Sequence, residues 1–398
     1  MLSPGELANP EKRLLIACAR TTVEPRIAEG IRELCSAPLD WDFAVEEAAV
    51  NSILPLVARQ IAALAADIAP ARHVDRLNKA ARANALRCLT LTAELIRIAD
   101  LLRAAGVQPI PYKGPVTAAQ AYGDVALREF EDLDIVVRQR DMGKVNEVMM
   151  GLGYRPKHPW RFGSANSPSV VPGEYDYHDD ARRMIVEFHT ELTLRHFPMR
   201  PDLEEMSRRL VPVMLSGHAV RTFAPEDMLV LLCVHGSKDF WERISWIADI
   251  SELVRAQPQL DWDAAFGRAE ELKAARMLNL GLALANKLLG MQLPDTALAR
   301  VRRDSVADTV ASEIVRRHLI GRTSERGAGE RFRFRRRMVA GSMAGWRYAV
   351  RLTTQPADED SAAIGLPGPL AWLYPLLRPF RLAREYRASR RSSSSTRS

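Results

Sequence analysis

Two aspartates separated by one residue are the most chemically informative feature of the chain. Asp132 and Asp134 lead into the β-branched run Ile135–Val137, which predicts a short strand. Alternate residues of a strand point to the same side, so both carboxylates project from one face. Two carboxylates this close repel each other unless a cation lies between them. Mg²⁺ takes oxygen ligands and keeps positions for substrate phosphates, so the pair predicts half of a phosphate-handling metal site.

A third carboxylate is needed for a two-metal site that clamps attacking and leaving oxygens. Glu187 is the best candidate, because apolar residues flank it in a second predicted strand, Met184–Glu191. His189 returns to the same face and is a candidate for a further ligand, an orienting group or a phosphate contact. Taken alone, these two residues would be the solvated face of an amphipathic strand. The aspartate pair favours the site instead.

The elements around these acids alternate between helix and strand. Apolar residues at helical spacing predict a helix over Ala81–Ala105. A strand over Gln108–Tyr112 and a short helix over Val116–Tyr122 are expected next. Asp141 is expected to cap a further helix that ends near Met150. Beyond residue 200 the pattern is largely helical.

These elements predict an α+β protein, in which a small mixed sheet lies between helical regions. The expected divisions are a helical region over 1–105, a sheet domain with the acidic site over 106–200 and a helical domain over 201–320. A basic region over 321–398 follows and ends in a disordered, serine-rich tail.

The composition of the 398-residue chain, 47% hydrophobic and 26% charged, is that of a soluble protein with more than one core. Neither a signal peptide nor an apolar run long enough to cross a bilayer is expected. The cysteines are far apart in apolar or helix-like contexts, which predicts buried free thiols in a reducing cytoplasm. They are Cys18, Cys35, Cys88 and Cys233. The expected location is the cytoplasm, with the periphery of a membrane as the other option.

Positive charge is concentrated in the C-terminal region. Residues Arg326–Ser398 include 15 arginines, no lysine and five acids, although the whole chain carries a net charge of only +7. Within this region, Arg331–Arg337 interleaves phenylalanine with arginine. Such a segment could stack on bases and neutralise phosphates of a nucleic acid, or lie on an anionic membrane surface. It could equally be a solvated basic face packed on the helical domain, and the sequence leaves all three open.

The pattern of these residues resembles a known superfamily. The pattern resembles that of nucleotidyltransferases with the DNA polymerase β-like palm. It consists of KG, thirteen further residues, R, three further residues, DLDIVV and a later VEFH. The resemblance is greatest to a bacterial group of uncharacterised nucleotidyltransferases and covers residues 80–255 well. It implies that three catalytic acids bind Mg²⁺ or Mn²⁺ and that a glycine turn holds the triphosphate of the donor. The acids are Asp132, Asp134 and Glu187, and the turn is Lys113-Gly114.

One position departs from the superfamily pattern. Many members have Ser or Gly after the turn glycine, whereas Pro115 has no N–H to donate to a phosphate. Lys113 would compensate as a point charge. Arg128 has two interpretations: its planar fork binds the donor phosphates, or it pairs with Glu131 or Asp132 and fixes the loop.

A second set of candidate residues lies on a predicted helix further along the chain. His235 and Lys238 share one side of that helix, where the resembled group tends to carry His, Lys, Trp and Asp. The resemblance implies contact with the nucleotide base or the acceptor, so both residues, like His189, are candidates for nucleotide binding. Trp241 and Trp246 are expected in the core.

The resemblance implies a Mg²⁺-dependent transferase that moves a nucleoside monophosphate from an NTP, such as ATP, to an acceptor hydroxyl. The sequence identifies neither the acceptor nor the base of the donor. Two other functions stay open. Pro115 favours a non-catalytic nucleotide-binding protein that has kept the palm, and the arginine-rich region favours a factor that acts on a membrane or a nucleic acid. Without an HxxxH or HxH pairing, the sequence does not favour a zinc hydrolase.

Overall fold

Five helices precede the sheet in the computed structural model. The structure describes residues 9–157, 173–193, 197, 199, 201–320 and 328–339, and positions 350, 373, 376–377 and 381. The helices are α1 (Pro10–Cys18), α2 (Pro25–Ser36), α3 (Trp41–Val50), α4 (Leu54–Leu64) and α5 (Ala71–Ala104). The helix predicted from residue 81 is thus confirmed and begins ten residues earlier. The predicted disordered tail lies outside the described residues.

The sheet has five strands, and one of its four neighbouring pairs is parallel. The strands are β1 (Ile110–Pro111), β2 (Asp132–Val136), β3 (Arg155–Pro156), β4 (Glu174–Asp179) and β5 (Met184–His189). Their order is β1-β2-β5-β4-β3, with β2 and β5 parallel and the other neighbours antiparallel. This small mixed sheet among helices confirms the α+β class.

Alternation along the strands separates an apolar face from a polar face. Leu133 on β2, Tyr177 on β4 and Phe188 on β5 are fully buried. Helix α7 (Met142–Gly151) supports this face, since Tyr177 donates a hydrogen bond of 3.0 Å to Asn146. The residues between them in each strand point to the other side, where the acids collect.

Two short elements connect β1 with β2. Helix α6 (Gly114–Thr117) continues in a π-helical turn, Ala118–Tyr122, and a 3₁₀ turn follows over Val125–Leu127. The predicted cap at Asp141 is wrong. Asp141 precedes α7, but its φ of −91° and ψ of −7° are helical, and its side chain makes no capping hydrogen bond.

The part beyond residue 200 is largely helical, as predicted, but it also contains a hairpin. Its strands β6 (Val211–Leu215) and β7 (His218–Thr222) join through Ser216 and Gly217, both with positive φ, as a tight hairpin turn requires. The helices are α8 (Leu203–Arg208), α9 (Pro225–Lys238), α10 (Ile244–Ala256), α11 (Trp262–Glu271), α12 (Ala275–Leu289), α13 (Asp295–Arg303), α14 (Ser305–Ile320) and α15 (Ala328–Met338).

The cysteine prediction is confirmed, since all four thiols are free and buried. Among the described residues, every helix is too short or too polar to cross a bilayer.

Candidate active site

Strand register brings acids from three strands to one face of the sheet. The parallel pairing sets Asp134 opposite Glu187, and the antiparallel pairing sets Asp176 of β4 opposite Glu187 from the other side. His189 pairs in the same way with Glu174. Cross-strand partners project from the same face, so these side chains form one polar surface above the sheet.

Asp134 is the centre of this surface and is almost fully buried, with 4% of its surface exposed. Its Oδ1 accepts a hydrogen bond of 2.5 Å from Lys113 Nζ, and His189 Nε2 lies 2.9 Å from the same oxygen. The imidazole also lies 3.6 Å from Glu187 Oε2. Tyr112 packs edge-on against the imidazole, with 5.5 Å between ring centroids. The two strands and the Lys113 turn therefore converge on one carboxylate.

Two overlapping groups of side chains on this face of the sheet could hold a metal ion. The ligand atoms of Asp134, Glu187 and His189 lie within 4.8 Å of one another, and so do those of Glu174, Asp176 and Glu187. Carboxylate oxygens are the donors that Mg²⁺ and Mn²⁺ prefer, so the donor set fits a hard divalent ion.

The sequence-based prediction of this cluster was incomplete. Asp132 shares the face of Asp134 on β2 but belongs to neither of the metal-binding groups found among the described residues. Glu174 and Asp176 were missed. Their signal is the alternation in Glu-Tyr-Asp-Tyr, which puts two acids on one side of a strand as Asp-Leu-Asp does.

The acids of the cluster differ in how easily they lose a proton. Burial opposes ionisation of Asp134, but Lys113 and His189 outweigh it and hold the pKa of Asp134 well below its usual range. Burial, followed by repulsion from Asp134 and Glu174, raises the pKa of Glu187 to about 8. Burial and Asp134 also raise the pKa of Asp132. A cation beside these carboxylates would remove this repulsion.

The Lys113-Gly114 turn lies directly against the start of β2. Gly114 has a φ of +52°, in the left-handed region that favours glycine. A Cβ at this position would lie 3.5 Å from the carbonyl oxygen of Asp132. Pro115 occupies the first turn of α6, where its missing N–H leaves no helical hydrogen bond unmade. The turn thus directs Lys113 toward Asp134.

Arg128 binds a carboxylate that sequence reasoning did not consider. Its Nε and Nη2 donate hydrogen bonds of 2.9 Å to the two oxygens of Asp249 on α10. The predicted ion pair with Glu131 or Asp132 is therefore wrong, because a buried residue 121 positions away matches both donors of the fork.

The end of α9 carries two of the candidate nucleotide-binding residues, His235 and Lys238. Burial, and then the charge of Lys113, lower the pKa of His235 well below its usual value, and the charge of Lys238 acts in the same direction. His235 Nδ1 lies 3.2 Å from Asp239 Oδ2, and its ring meets Trp246 edge to face at 5.4 Å. The charge of Lys113 therefore acts on His235, which shares the last turn of α9 with Lys238.

A wedged tryptophan fixes the end of α9. Trp241 is buried, as predicted, while Trp246 is only half-buried. A Cβ at Gly236 would lie 2.6 Å from the Trp241 ring, and one at Gly281 on α12 would lie 3.1 Å from it. The two glycines thus form the slot that holds the ring.

The described part of the basic region packs on the helical domain. Phe334 on α15 meets Phe240 edge to face at 5.3 Å, and the Arg335 guanidinium lies 4.9 Å from the centroid of the same ring. Arg337 pairs with Glu313 of α14 at 2.7 Å. Of the three interpretations of this segment, a basic face packed on the helices is the one that these three side chains show. Most of the region beyond residue 339 lies outside the described residues.

Comparison with known proteins adds a family to this geometry. The model of a family described as "Uncharacterised nucleotidyltransferase" matches residues 37–290. No curated protein matches the chain. Among solved structures, the chain is similar to the solution structure of the antibiotic-resistance factor ANT(2'')-Ia, at 15% identity and a TM-score of 0.31. The similarity covers 47% of this chain and 90% of that one, and it is too distant to carry an argument.

Proposed function

Because the chain belongs to the uncharacterised nucleotidyltransferase family, as its sequence pattern predicted, we propose that it transfers a nucleoside monophosphate from an NTP to an acceptor hydroxyl. The observation that carries the proposal is the convergence of Asp134, Glu187 and Lys113 above the parallel strand pair. In the reaction, the acceptor oxygen bonds to the α-phosphorus while the bond to pyrophosphate breaks. The acceptor proton leaves to solvent.

The acids on the shared face would hold the divalent ions, Mg²⁺ or Mn²⁺. Asp132, Asp134 and Glu187 would bind them, with His189 as a further ligand or an orienting group. When bound, such ions neutralise phosphate charge and make the acceptor hydroxyl easier to deprotonate.

The remaining candidates would hold the donor. Lys113 is a cation at the edge of the acid cluster and would bind the triphosphate as a point charge beside the backbone of Gly114. His235 and Lys238, which lie in the last turn of α9, would contact the nucleotide. Arg128, engaged by Asp249, is not assigned to the phosphates. The protein would act mainly by positioning the reactants and neutralising their charge.

The test is label transfer from each α-labelled NTP, with Mg²⁺ or Mn²⁺, to acceptors in a cell extract. We expect a labelled product with the wild-type protein and none with Asp132→Asn or Glu187→Gln. Neither substitution should lower thermal stability, because each removes a carboxylate whose raised pKa reports an unfavourable charge. Asp124→Asn is the matched control, since Asp124 is exposed and caps the 3₁₀ turn between β1 and β2.

Two outcomes would contradict the proposal. Wild-type turnover by Asp132→Asn at the same Mg²⁺ concentration would remove the metal-binding role of that acid. Binding of Mg-ATP without labelled product or released pyrophosphate, across all acceptor pools, would favour a non-catalytic nucleotide-binding protein. The missing N–H of Pro115 favours that second function.

A further inference from the structure

A single buried carboxylate on α10 binds two residues, Tyr122 and Arg128, of the segment that runs from the glycine turn to β2. Asp249 is 1% exposed. It accepts both hydrogen bonds from Arg128, and the Tyr122 hydroxyl donates a third, 2.8 Å long, to its Oδ1. Tyr122 ends the π-helical turn that continues α6, whereas Arg128 lies four residues before Asp132.

This segment connects the two parts that the proposed reaction must keep in register. Lys113 and Gly114 stand at its beginning, and the acid-bearing strand stands at its end. Helix α5 holds the same segment from the opposite side, because Asn84 Nδ2 donates to the carbonyl of Ala126 at 2.9 Å.

We infer that Asp249 is a positioning residue: through Arg128 and Tyr122 it fixes the segment between the Lys113-Gly114 turn and β2, and so sets the phosphate cradle relative to the acids. The inference rests on the proposed function and adds to it a residue that touches neither metal nor nucleotide. It also gives Arg128 a role other than direct phosphate binding, because two donors of its fork already bond to Asp249.

The sign of the effects separates positioning from charge. Mg-ATP is an anion. If charge alone mattered, removing the positive charge of Arg128 would weaken the binding of Mg-ATP, and removing the negative charge of Asp249 would tighten that binding. Direct phosphate binding by Arg128 gives the same pair of signs, since Asp249→Asn would release the fork. Positioning requires that both substitutions weaken binding.

Isothermal titration calorimetry measures the Mg-ATP affinity. The electron paramagnetic resonance signal of the free ion measures the Mn²⁺ affinity. We expect Asp249→Asn to weaken Mg-ATP at least about tenfold, the scale seen when groups that orient binding residues are removed. Tyr122→Phe, which keeps every charge, should weaken it about threefold. Mn²⁺ alone should bind within about twofold of wild type, because Asp134 and Glu187 are held by the sheet.

Two further variants guard against loss of the fold. Arg128→Met/Asp249→Leu keeps the net charge and replaces a buried pair by apolar groups, a change that proteins commonly tolerate. The double variant should remain folded and bind Mg-ATP more weakly than the wild-type protein does. Arg209→Met is the matched control, because Arg209 also engages both oxygens of a buried carboxylate, at 3.2 Å each, but outside this segment. Its partner Asp227 keeps Arg268 at 3.0 Å, so Mg-ATP affinity should stay within about twofold of wild type.

The outcomes distinguish the inference from the function on which it rests. If the wild-type protein binds Mg-ATP and Asp249→Asn binds it equally or more tightly, the positioning role is wrong and the function stands. Unchanged affinity in both Tyr122→Phe and the double variant would also overturn it. If the wild-type protein binds neither Mn²⁺ nor Mg-ATP, the proposed function and the inference fail together.

Discussion

Gly236→Ala should destabilise the protein, although alanine is normally the better helix former. The new Cβ would lie 2.6 Å from three atoms of the Trp241 ring. The ring has little room to move away, because α12 also packs against it: a Cβ at Gly281 would lie 3.1 Å from Cη2 of the same ring. Trp241 itself has a φ of +54°, so its backbone is in a region that side chains rarely adopt.

The size of the effect follows from two opposing terms. Overpacking a core costs up to about 3 kcal/mol, and exchanging a helical glycine for alanine recovers about 1 kcal/mol. The net loss of about 2 kcal/mol should lower the midpoint of thermal unfolding of this 398-residue chain by about 2 °C. Circular dichroism or tryptophan fluorescence would measure it.

A second glycine provides the control. Gly267 lies inside α11, and a Cβ added there would have nothing within 4 Å, so Gly267→Ala should raise the midpoint by about 1 °C. Gly236→Ala should also weaken Mg-ATP binding, because His235 and Lys238 lie on the helix end that the ring fixes. If Gly236→Ala unfolds at or above the wild-type temperature, the Trp241 ring does not fix the end of α9. The reason to expect weaker Mg-ATP binding would then also be lost.

Two other predictions concern the acid cluster and the basic helix. Mn²⁺ affinity should rise about fiftyfold between pH 6 and pH 8, because the pKa of Glu187 is raised to about 8 and its proton must leave before an ion binds. A flat profile would contradict this, and Glu187→Gln should remove the dependence. Phe334→Ala should cost about 3 kcal/mol of stability, because the ring is 5% exposed and packs on Phe240. Chemical denaturation would measure that loss, and an unchanged midpoint would show that α15 does not pack there.

The acid-bearing strands were predictable because their signal is local. Asp132 and Asp134 precede a β-branched run, and Glu187 lies in a second one, so a period of two sufficed to put each acid on a face. The family could be predicted from the same residues, and its match confirms it. That these acids bind a metal ion stays a prediction.

The features that sequence reasoning missed depend on distant partners. Arg128 and Asp249 are 121 residues apart, and nothing in the spacing of either residue indicates the other. The sequence did not predict the β6–β7 hairpin. Its turn, Ser216-Gly217, is a short signal, and the residues on either side of it do not alternate strictly between polar and apolar. Asp141 had the right residue type for a cap, but it is the last residue of a 3₁₀ turn, Gln139–Asp141, which gives it helical dihedral angles.

The parallel pairing of β2 with β5 also has a consequence during synthesis. Antiparallel neighbours can form as soon as a turn is made, whereas parallel neighbours require the intervening chain to cross over first. Asp134 and His189 are 55 residues apart. A nascent chain that has released β2 but not β5 therefore presents its aspartates without the histidine and glutamate that complete the cluster. The acid cluster of this sheet is therefore complete only after residue 189 has been synthesised and has left the ribosome.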